Sequence, residues 1–113
     1  MTGALRLPRR LRPGSVVGVA ALCGPVREED LAAGVAALGS LGYRVRLAPN
    51  VLDREPLLGL AGGDDARLGG YLSLLEDPEV EAILFARGGY GVTRLLARLP
   101  ARRLVEARKL HCG

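Results

Sequence analysis

Residues 15–22 constrain the fold most, because this run is almost continuously apolar and rich in β-branched valine. A strand of that composition has no polar face to turn toward water, and it is typical of strands that are covered on both faces. Such strands lie inside parallel sheets, whose crossover connections are usually helices. The run therefore predicts a strand in the interior of a parallel α/β sheet.

Three later stretches place apolar residues at helical spacing. The first begins with acidic residues at 28–30, which suit the positive end of a helix dipole, and Gly42 ends it after about fourteen residues. The second can be capped by Asp64 and ends at Asp77. In addition to the three helices, a short helical turn is predicted at residues 101–108. The third follows a glycine-rich turn, and its predicted inner face consists of Val92, Leu95, Leu96 and Leu99.

Strand patterns alternate with these helices. Residues 43–47 alternate apolar and basic side chains, so this strand has one wetter face and is predicted near the sheet edge. Further strands are predicted at residues 80–86 and 109–112. The alternation predicts an α/β fold, Rossmann-like or flavodoxin-like, with a mostly parallel sheet of about four strands and helices on both faces. We expect residues 1–13 to form an N-terminal arm and residues 14–113 to form the α/β domain.

The composition excludes several classes of protein. With 113 residues the chain is about one domain long, and no apolar run approaches the roughly 18 residues of a membrane-spanning helix. The net charge is +4, but the basic residues are scattered, and only one Phe and three Tyr could stack on bases. We therefore expect neither a membrane nor a nucleic acid as partner. Two cysteines and the lack of a signal-peptide stretch predict a cytoplasmic protein.

The strongest functional signal is the segment at residues 87–91, which reads Arg-Gly-Gly-Tyr-Gly and is called the glycine turn below. It joins a predicted strand to the third predicted helix, so its free amides and the helix dipole together favour an anion or a developing oxyanion. A plain tight turn is the simpler interpretation. The dinucleotide fingerprint would need a glycine where Arg94 stands, and no Gly-Lys-Ser/Thr phosphate loop occurs, so no nucleotide cofactor is expected.

No complete catalytic triad is visible in the chain. Its single imidazole, His111, lies in an apolar predicted strand, where a buried structural role is favoured. Cys23 follows the first strand and Cys112 lies in the last, and both are interpreted as small apolar fillers rather than nucleophiles. His111 and Cys112 are neighbours in a strand and point to opposite faces, which does not suit a metal pair, so no metal is expected.

Four segments match a known family in their order and spacing. The most specific is residues 85–91, which contains the glycine turn. The others are residues 11–20, residues 34–45, and residues 60–64 together with Arg67. In these segments the chain resembles, over nearly its whole length, the N-terminal half of the LD-carboxypeptidases. These are serine peptidases of murein recycling and of microcin C immunity.

The resemblance implies a catalytic serine that this chain does not contain. In the family the fourth strand leads into a Gly-aromatic-Ser-Asp nucleophile elbow, and Gly113 aligns with the first glycine of that elbow. The nucleophile is therefore expected just after Gly113, and the His base and its Glu partner are expected in a C-terminal catalytic domain. One wall of the site is implied here: the amides of Gly88 and Gly89 as part of the oxyanion hole, with Arg87 and Tyr90 shaping the pocket.

The resemblance further implies hydrolysis of the amide between an L-centre, such as meso-diaminopimelate, and a terminal D-alanine of a cytoplasmic murein peptide, through an acyl-enzyme and without a metal. A homodimer is implied for the full-length family, and the chain alone is expected to be inactive. Cys23 and Gly24 replace the small polar residues that the family often has, and residues 101–103 replace a more acidic, aromatic connection, which loosens any assignment of a substrate. The choice between a murein peptide and a microcin-type substrate depends on the C-terminal half.

Two other interpretations stay open. The chain could be a non-enzymatic α/β module that binds a small anionic ligand at residues 88–91, because it carries no nucleophile. It could also be the marginally folded product of a decayed reading frame. In each case, without a helix after the fourth strand, one face of the sheet is expected to expose apolar surface.

Overall fold

One parallel sheet of four strands forms the centre of the computed structural model, which describes residues 3–113. The strands are β1 (Val16–Ala20), β2 (Arg44–Leu47), β3 (Val80–Phe85) and β4 (Leu110–Cys112). Their order is β2-β1-β3-β4, and each neighbouring pair is parallel. The predicted α/β fold is confirmed, and β2 lies at an edge, as its alternating pattern predicts.

Helices cover both faces of the sheet. They are α1 (Glu28–Ser40), α2 (Asp64–Leu75) and α3 (Ala101–Ala107), the last at the short helical turn predicted from the sequence. The core on one face contains α2 and the inner side of α3, and the core on the other face contains α1. All five residues of β1 are buried between the two cores, which explains their apolar composition. Among residues 3–113, no helix has the length and apolarity that crossing a membrane requires.

The chain changes its direction of progress across the sheet between β1 and β3, which lie side by side. From β1 it passes through α1 to β2 at one edge, and from β3 it continues to β4 at the other edge. At such a point the loops that follow the two central strands diverge and leave a crevice beyond the carboxyl ends of the strands. The loop after β1 and the glycine turn after β3 border this crevice, called the switch point below.

A buried asparagine joins the loop after β2 to the end of β1. Asn50 is 3% exposed, and its Nδ2 donates to the carbonyls of Ala21 (2.9 Å) and Ala61 (2.8 Å). Its Oδ1 lies against Gly70 of α2, where any side chain would collide with it. The close approach of α2 to this loop therefore depends on a glycine, although glycine ordinarily weakens a helix interior.

The third predicted helix is wrong. Val92–Arg94 and Leu96–Arg98 form two single 3-10 turns in place of one α-helix. Leu95 is fully buried, but Leu96, also predicted to face inward, is 57% exposed. The segment begins at Gly91, whose φ of 142° is not helical. A proline follows it and disfavours the helical conformation of the preceding residue, so the stretch is too short for a stable α-helix.

The last strand, β4, is covered on one face. His111 is half-buried on the side of α2, whereas Leu110 and Cys112 point to the opposite side and are exposed. The interpretation of Cys112 as a buried filler is therefore wrong, because the helix on that side, α1, packs against β1 and β2.

Candidate functional site

The glycine turn lies at the switch point, directly after β3. Its path begins beside β1, because the amide of Ala86 donates to the carbonyl of Ala20 (2.8 Å). Arg87, Gly88, Gly89 and Tyr90 are exposed, and Gly91 is buried. The turn thus leaves the sheet at its rim and returns to the core within five residues.

The amides of the turn are free within the described part of the chain. Across residues 3–113, the N–H groups of Gly88, Gly89 and Tyr90 donate to no protein acceptor. Backbone donors of this kind ordinarily pair with protein, water or a ligand. Successive N–H groups in a turn with a residue at positive φ, here Gly89 at 117°, are typical of concave anion-binding sites. The turn can therefore present main-chain donors to negative charge, and the role of these four residues in an oxyanion hole stays a prediction.

The expected help from a helix dipole is absent at this turn. The segment that follows it is a three-residue 3-10 turn, which is too short to sum peptide dipoles as an α-helix does. The turn itself contains one positive charge, that of Arg87. Its Nη1 donates to the carbonyl of Pro25 (3.2 Å), so its exposed side chain reaches across the switch point to the loop after β1.

A largely apolar cavity of about 460 Å³ lies beside the turn. Gly88 and Gly89 line it together with Gly113, so the residue that follows β4 and the glycine turn border the same cavity. Phe85 and Tyr71 form part of its wall, with ring centroids 6.2 Å apart. An anion bound at the turn would therefore lie near an apolar, poorly hydrated surface, where hydrogen bonds to charge are stronger than in water.

His111 lies in the same cavity wall, but both of its ring nitrogens are occupied. Nε2 lies 2.7 Å from the hydroxyl oxygen of Tyr71, and Nδ1 lies 3.0 Å from the carbonyl oxygen of Lys109. Because a carbonyl can only accept, Nδ1 carries the proton, and Nε2 accepts the proton of the tyrosine hydroxyl. Burial raises the pKa of Tyr71 from its ordinary value of 10 to about 12, so the hydroxyl keeps its proton even at alkaline pH. The arrangement is typical of a structural histidine, as its sequence context predicts.

The two cysteines have different surroundings. Cys23 is 5% exposed, and its thiol donates to the carbonyl of Gly89 (3.3 Å), so it is a buried residue that also contacts the glycine turn. Cys112 is exposed on the uncovered side of β4. No group of three His, Cys, Asp or Glu residues within the described residues is arranged to hold a metal ion.

A fully buried arginine, Arg67, contacts the glycine turn from the side of the core. Arg67 of α2 donates through Nη1 to the carbonyls of Leu22 (2.8 Å) and Gly91 (3.0 Å), and its Nη2 contacts the Asp64 carboxylate. Asp64 also accepts hydrogen bonds from Arg94 Nε (2.9 Å) and Nη2 (3.0 Å). These bonds from Arg94, together with the nearby positive charges, hold the pKa of Asp64 below its usual value.

Arg67 is a landmark of the family resemblance, but it was not predicted to belong to the site. A signal was nevertheless present, because Arg67 lies four residues before Tyr71 and thus shares the helix stripe that faces the sheet. A charged residue on an otherwise apolar stripe is almost never buried unless it is paired. That signal indicates a buried ion pair but not its partners, which lie in distant segments.

The chain is similar in sequence to several known proteins. The family model described as LD-carboxypeptidase N-terminal domain matches residues 17–113 of the chain. A Streptomyces coelicolor protein named as a carboxypeptidase is 46% identical over 89 residues, which are 78% of this chain and 29% of that protein. The "Probable murein peptide carboxypeptidase" of Bacillus subtilis is 36% identical over 106 residues, which are 94% of this chain and 33% of that protein.

The fold is also similar to solved structures. A crystal structure of an MccF-like protein from Bacillus anthracis superposes with a TM-score of 0.88 at 26% sequence identity. The superposition covers 96% of this chain and 33% of that one. The chain therefore spans about a third of the length of the proteins that it matches.

Proposed function

This chain belongs to the LD-carboxypeptidase family, and we propose that it is the N-terminal part of a serine LD-carboxypeptidase that releases the terminal D-alanine from cytoplasmic murein tetrapeptides. The Bacillus subtilis relative is named as a probable murein peptide carboxypeptidase, which supports murein peptides as substrates. The observation that carries the proposal is the pair of amides at Gly88 and Gly89, which donate to no acceptor among residues 3–113 and line one cavity with Gly113.

In the proposed reaction, a serine that follows Gly113 in a longer chain attacks the carbonyl carbon of the L,D-amide bond. The carbonyl oxygen then becomes an oxyanion, and the Gly88 and Gly89 amides donate hydrogen bonds to it. The C–N bond breaks, a general base in the C-terminal domain transfers the serine proton to the departing D-alanine amine, and water hydrolyses the ester. One such oxyanion donor contributes about 10²–10³ to kcat in other serine peptidases.

Arg87 and Tyr90 flank these donors in the proposed site. Both side chains are exposed at the rim of the turn, where they can contact substrate and shape its pocket. The cation of Arg87 is suited to a substrate carboxylate, such as that of the terminal D-alanine. We further propose residues 14–113 as the N-terminal domain, and a homodimer as the assembly of the full-length protein.

The direct test is D-alanine release by the longest gene product that contains this chain. A murein tetrapeptide is the substrate, and a pentapeptide ending in D-Ala-D-Ala is the matched control, because its terminal bond joins two D-centres. We expect release from the tetrapeptide alone, and no release by the 113-residue chain. Preference for the pentapeptide, or hydrolysis by the 113-residue chain, would contradict the proposal.

The second candidate is an α/β module that binds a small anion at residues 88–91 without catalysis. It is favoured by the same free amides, which need no nucleophile to bind an anion. Titration of the gene product with inorganic phosphate, followed by NMR, separates the two. Phosphate binding by a gene product that hydrolyses neither peptide would favour the module.

A further inference from the structure

We propose that Arg67 is a positioning residue that holds the glycine turn in the shape in which its amides face outward, and that Asp64 and Arg94 hold Arg67 in turn. The inference rests on the proposed donor role of the turn. It concerns a residue that does not contact the substrate and acts through the backbone of Gly91.

The first support is the way in which the guanidinium of Arg67 uses its donors. Its side chain is 0% exposed, so each N–H without an acceptor would carry a large desolvation cost. Nη1 bridges the carbonyls of Leu22 and Gly91, and Nε donates to the carbonyl of Gly62 (3.1 Å). One planar group thus joins the end of β1, the loop before α2 and the end of the glycine turn.

The second support is the close approach at Gly91. A Cβ at this position would lie 2.6 Å from the carbonyl oxygen of Leu22 and 3.1 Å from Arg67 Nη1. The turn is therefore packed closely against Leu22, two residues after β1, at the point where Arg67 binds it. By contrast, a Cβ at Gly88 or Gly89 would meet no atom of residues 3–113 within 4 Å, so these two residues border open space in the described structure.

The third support is the direction of the peptide groups in the turn. In a trans peptide the C=O and N–H point in opposite directions, and the described chain contains no cis bond. The thiol of Cys23 binds the carbonyl of Gly89, so the amide of Tyr90 points away from β1. Arg67 binds the carbonyl of Gly91 in the same way. The carbonyls of Gly89 and Gly91 are thus bound inside the protein, and the amides of Tyr90 and Val92, which share those two peptide groups, point the other way.

The fourth support is the carboxylate that Arg67 shares with Arg94. Asp64 contacts the guanidinium of Arg67 and accepts two further hydrogen bonds from Arg94. Arg94 follows the turn by three residues, so Asp64 holds the turn from its far end as well. A lysine cannot replace this arrangement, because its three donors on a flexible stem do not match the planar fork of arginine.

The test compares Arg67→Lys with Arg98→Lys in the 113-residue chain. Arg98 donates to Asp65 (2.7 Å) at the same end of α2 but makes no hydrogen bond to the turn, so it is the matched control. We expect Arg67→Lys to shift or broaden the backbone amide resonances of residues 88–91 and to raise the dissociation constant for inorganic phosphate at least tenfold. Both quantities describe folded molecules, so a loss of stability alone would not change them.

The proposal is overturned if Arg67→Lys keeps the wild-type resonances of residues 88–91, or if Arg98→Lys displaces them equally. If Arg67→Lys does not fold, Asp64→Asn decides by the same resonances, because it removes the ionic partner and keeps the guanidinium. If the wild-type chain binds no phosphate but Arg67→Lys displaces the resonances, the donor role of the turn fails while the positioning role of Arg67 stands.

Discussion

Replacement of Gly91 by alanine should destabilise the chain through two separate effects. Its φ of 142° is a conformation that side chains rarely adopt, and such strain costs about 1–3 kcal/mol. The new Cβ would lie 2.6 Å from the carbonyl oxygen of Leu22, so the backbone must move and break the bond to Arg67. A buried donor left without its acceptor costs about 1–3 kcal/mol more. Together we expect a loss of roughly 4 kcal/mol.

The other two glycines of the turn separate these effects. Gly89→Ala has a positive φ of 117° but no atom near its Cβ, so it should lose about 1–3 kcal/mol through strain alone. Gly88→Ala has neither feature and should change stability by no more than about 0.5 kcal/mol. The expected order of destabilisation is therefore Gly91→Ala, then Gly89→Ala, then Gly88→Ala.

Urea denaturation of the 113-residue chain, followed by far-UV circular dichroism, measures these differences. With a slope of about 2 kcal/mol per molar urea, Gly91→Ala should lower the midpoint by about 2 M and Gly89→Ala by about half as much. If Gly91→Ala and Gly89→Ala lowered the midpoint equally, the collision with the carbonyl oxygen of Leu22 would be refuted. If Gly88→Ala lowered the free energy of unfolding as much as Gly91→Ala does, the open space next to Gly88 would be refuted.

Three further predictions test other parts of the structure. In α2, Gly70→Ala should lower the free energy of unfolding by about 2 kcal/mol or more, because the new Cβ collides with the buried Asn50. Gly69 is its exposed neighbour, and Gly69→Ala should raise the free energy of unfolding by up to about 1 kcal/mol through helix propensity. Urea denaturation midpoints measure both changes. The pKa of Asp64 is lowered in the folded state, chiefly by its hydrogen bonds from Arg94. The ionised carboxylate therefore stabilises the folded chain fully above pH 3.8, the ordinary pKa of the group. This stabilisation is lost as the pH falls through the lower pKa of the folded state. Asp64→Asn should therefore flatten the fall of thermal stability below about pH 4, and an unchanged slope would contradict this ion pair. Exposed Cys112 should react with a thiol reagent at least tenfold faster than buried Cys23 under native conditions. Mass spectrometry of the two cysteine peptides measures the rates, and equal rates would contradict the burial of Cys23.

The success and failure of the sequence-based predictions have physical causes. The strands at β1, β2 and β3 and the helices α1 and α2 were predictable, because each carries a local periodicity that matches its final environment. The stretch after Gly91 carries a helical periodicity too, but the conformation of one glycine and the proline that follows decide against an α-helix. Cys112 looked like a buried residue, because an apolar strand does not reveal which of its faces a helix covers.

The candidate site divides in the same way. Residues 87–91 were predicted from their glycines and their place after a strand, because a turn that needs positive φ leaves this local signature. Arg67 was identified as a landmark of the family but not as a part of the site. Its partners at Leu22 and Gly91 lie 45 and 24 residues away along the chain, and no local pattern encodes such pairings.

The amino-acid sequence by itself determined the alternation of strands and helices, the parallel sheet, the position of the glycine turn and the family. The strands, the helices and the turn depend on the spacing of apolar residues and glycines within short segments, and the sheet and the family depend on the order in which those segments follow one another. Only the tertiary structure decided that the turn is pressed against the end of β1, that a buried guanidinium joins the two, and that one side of β4 is uncovered. These features arise where distant segments meet, and the energy of such contacts depends on which groups meet after the chain has folded.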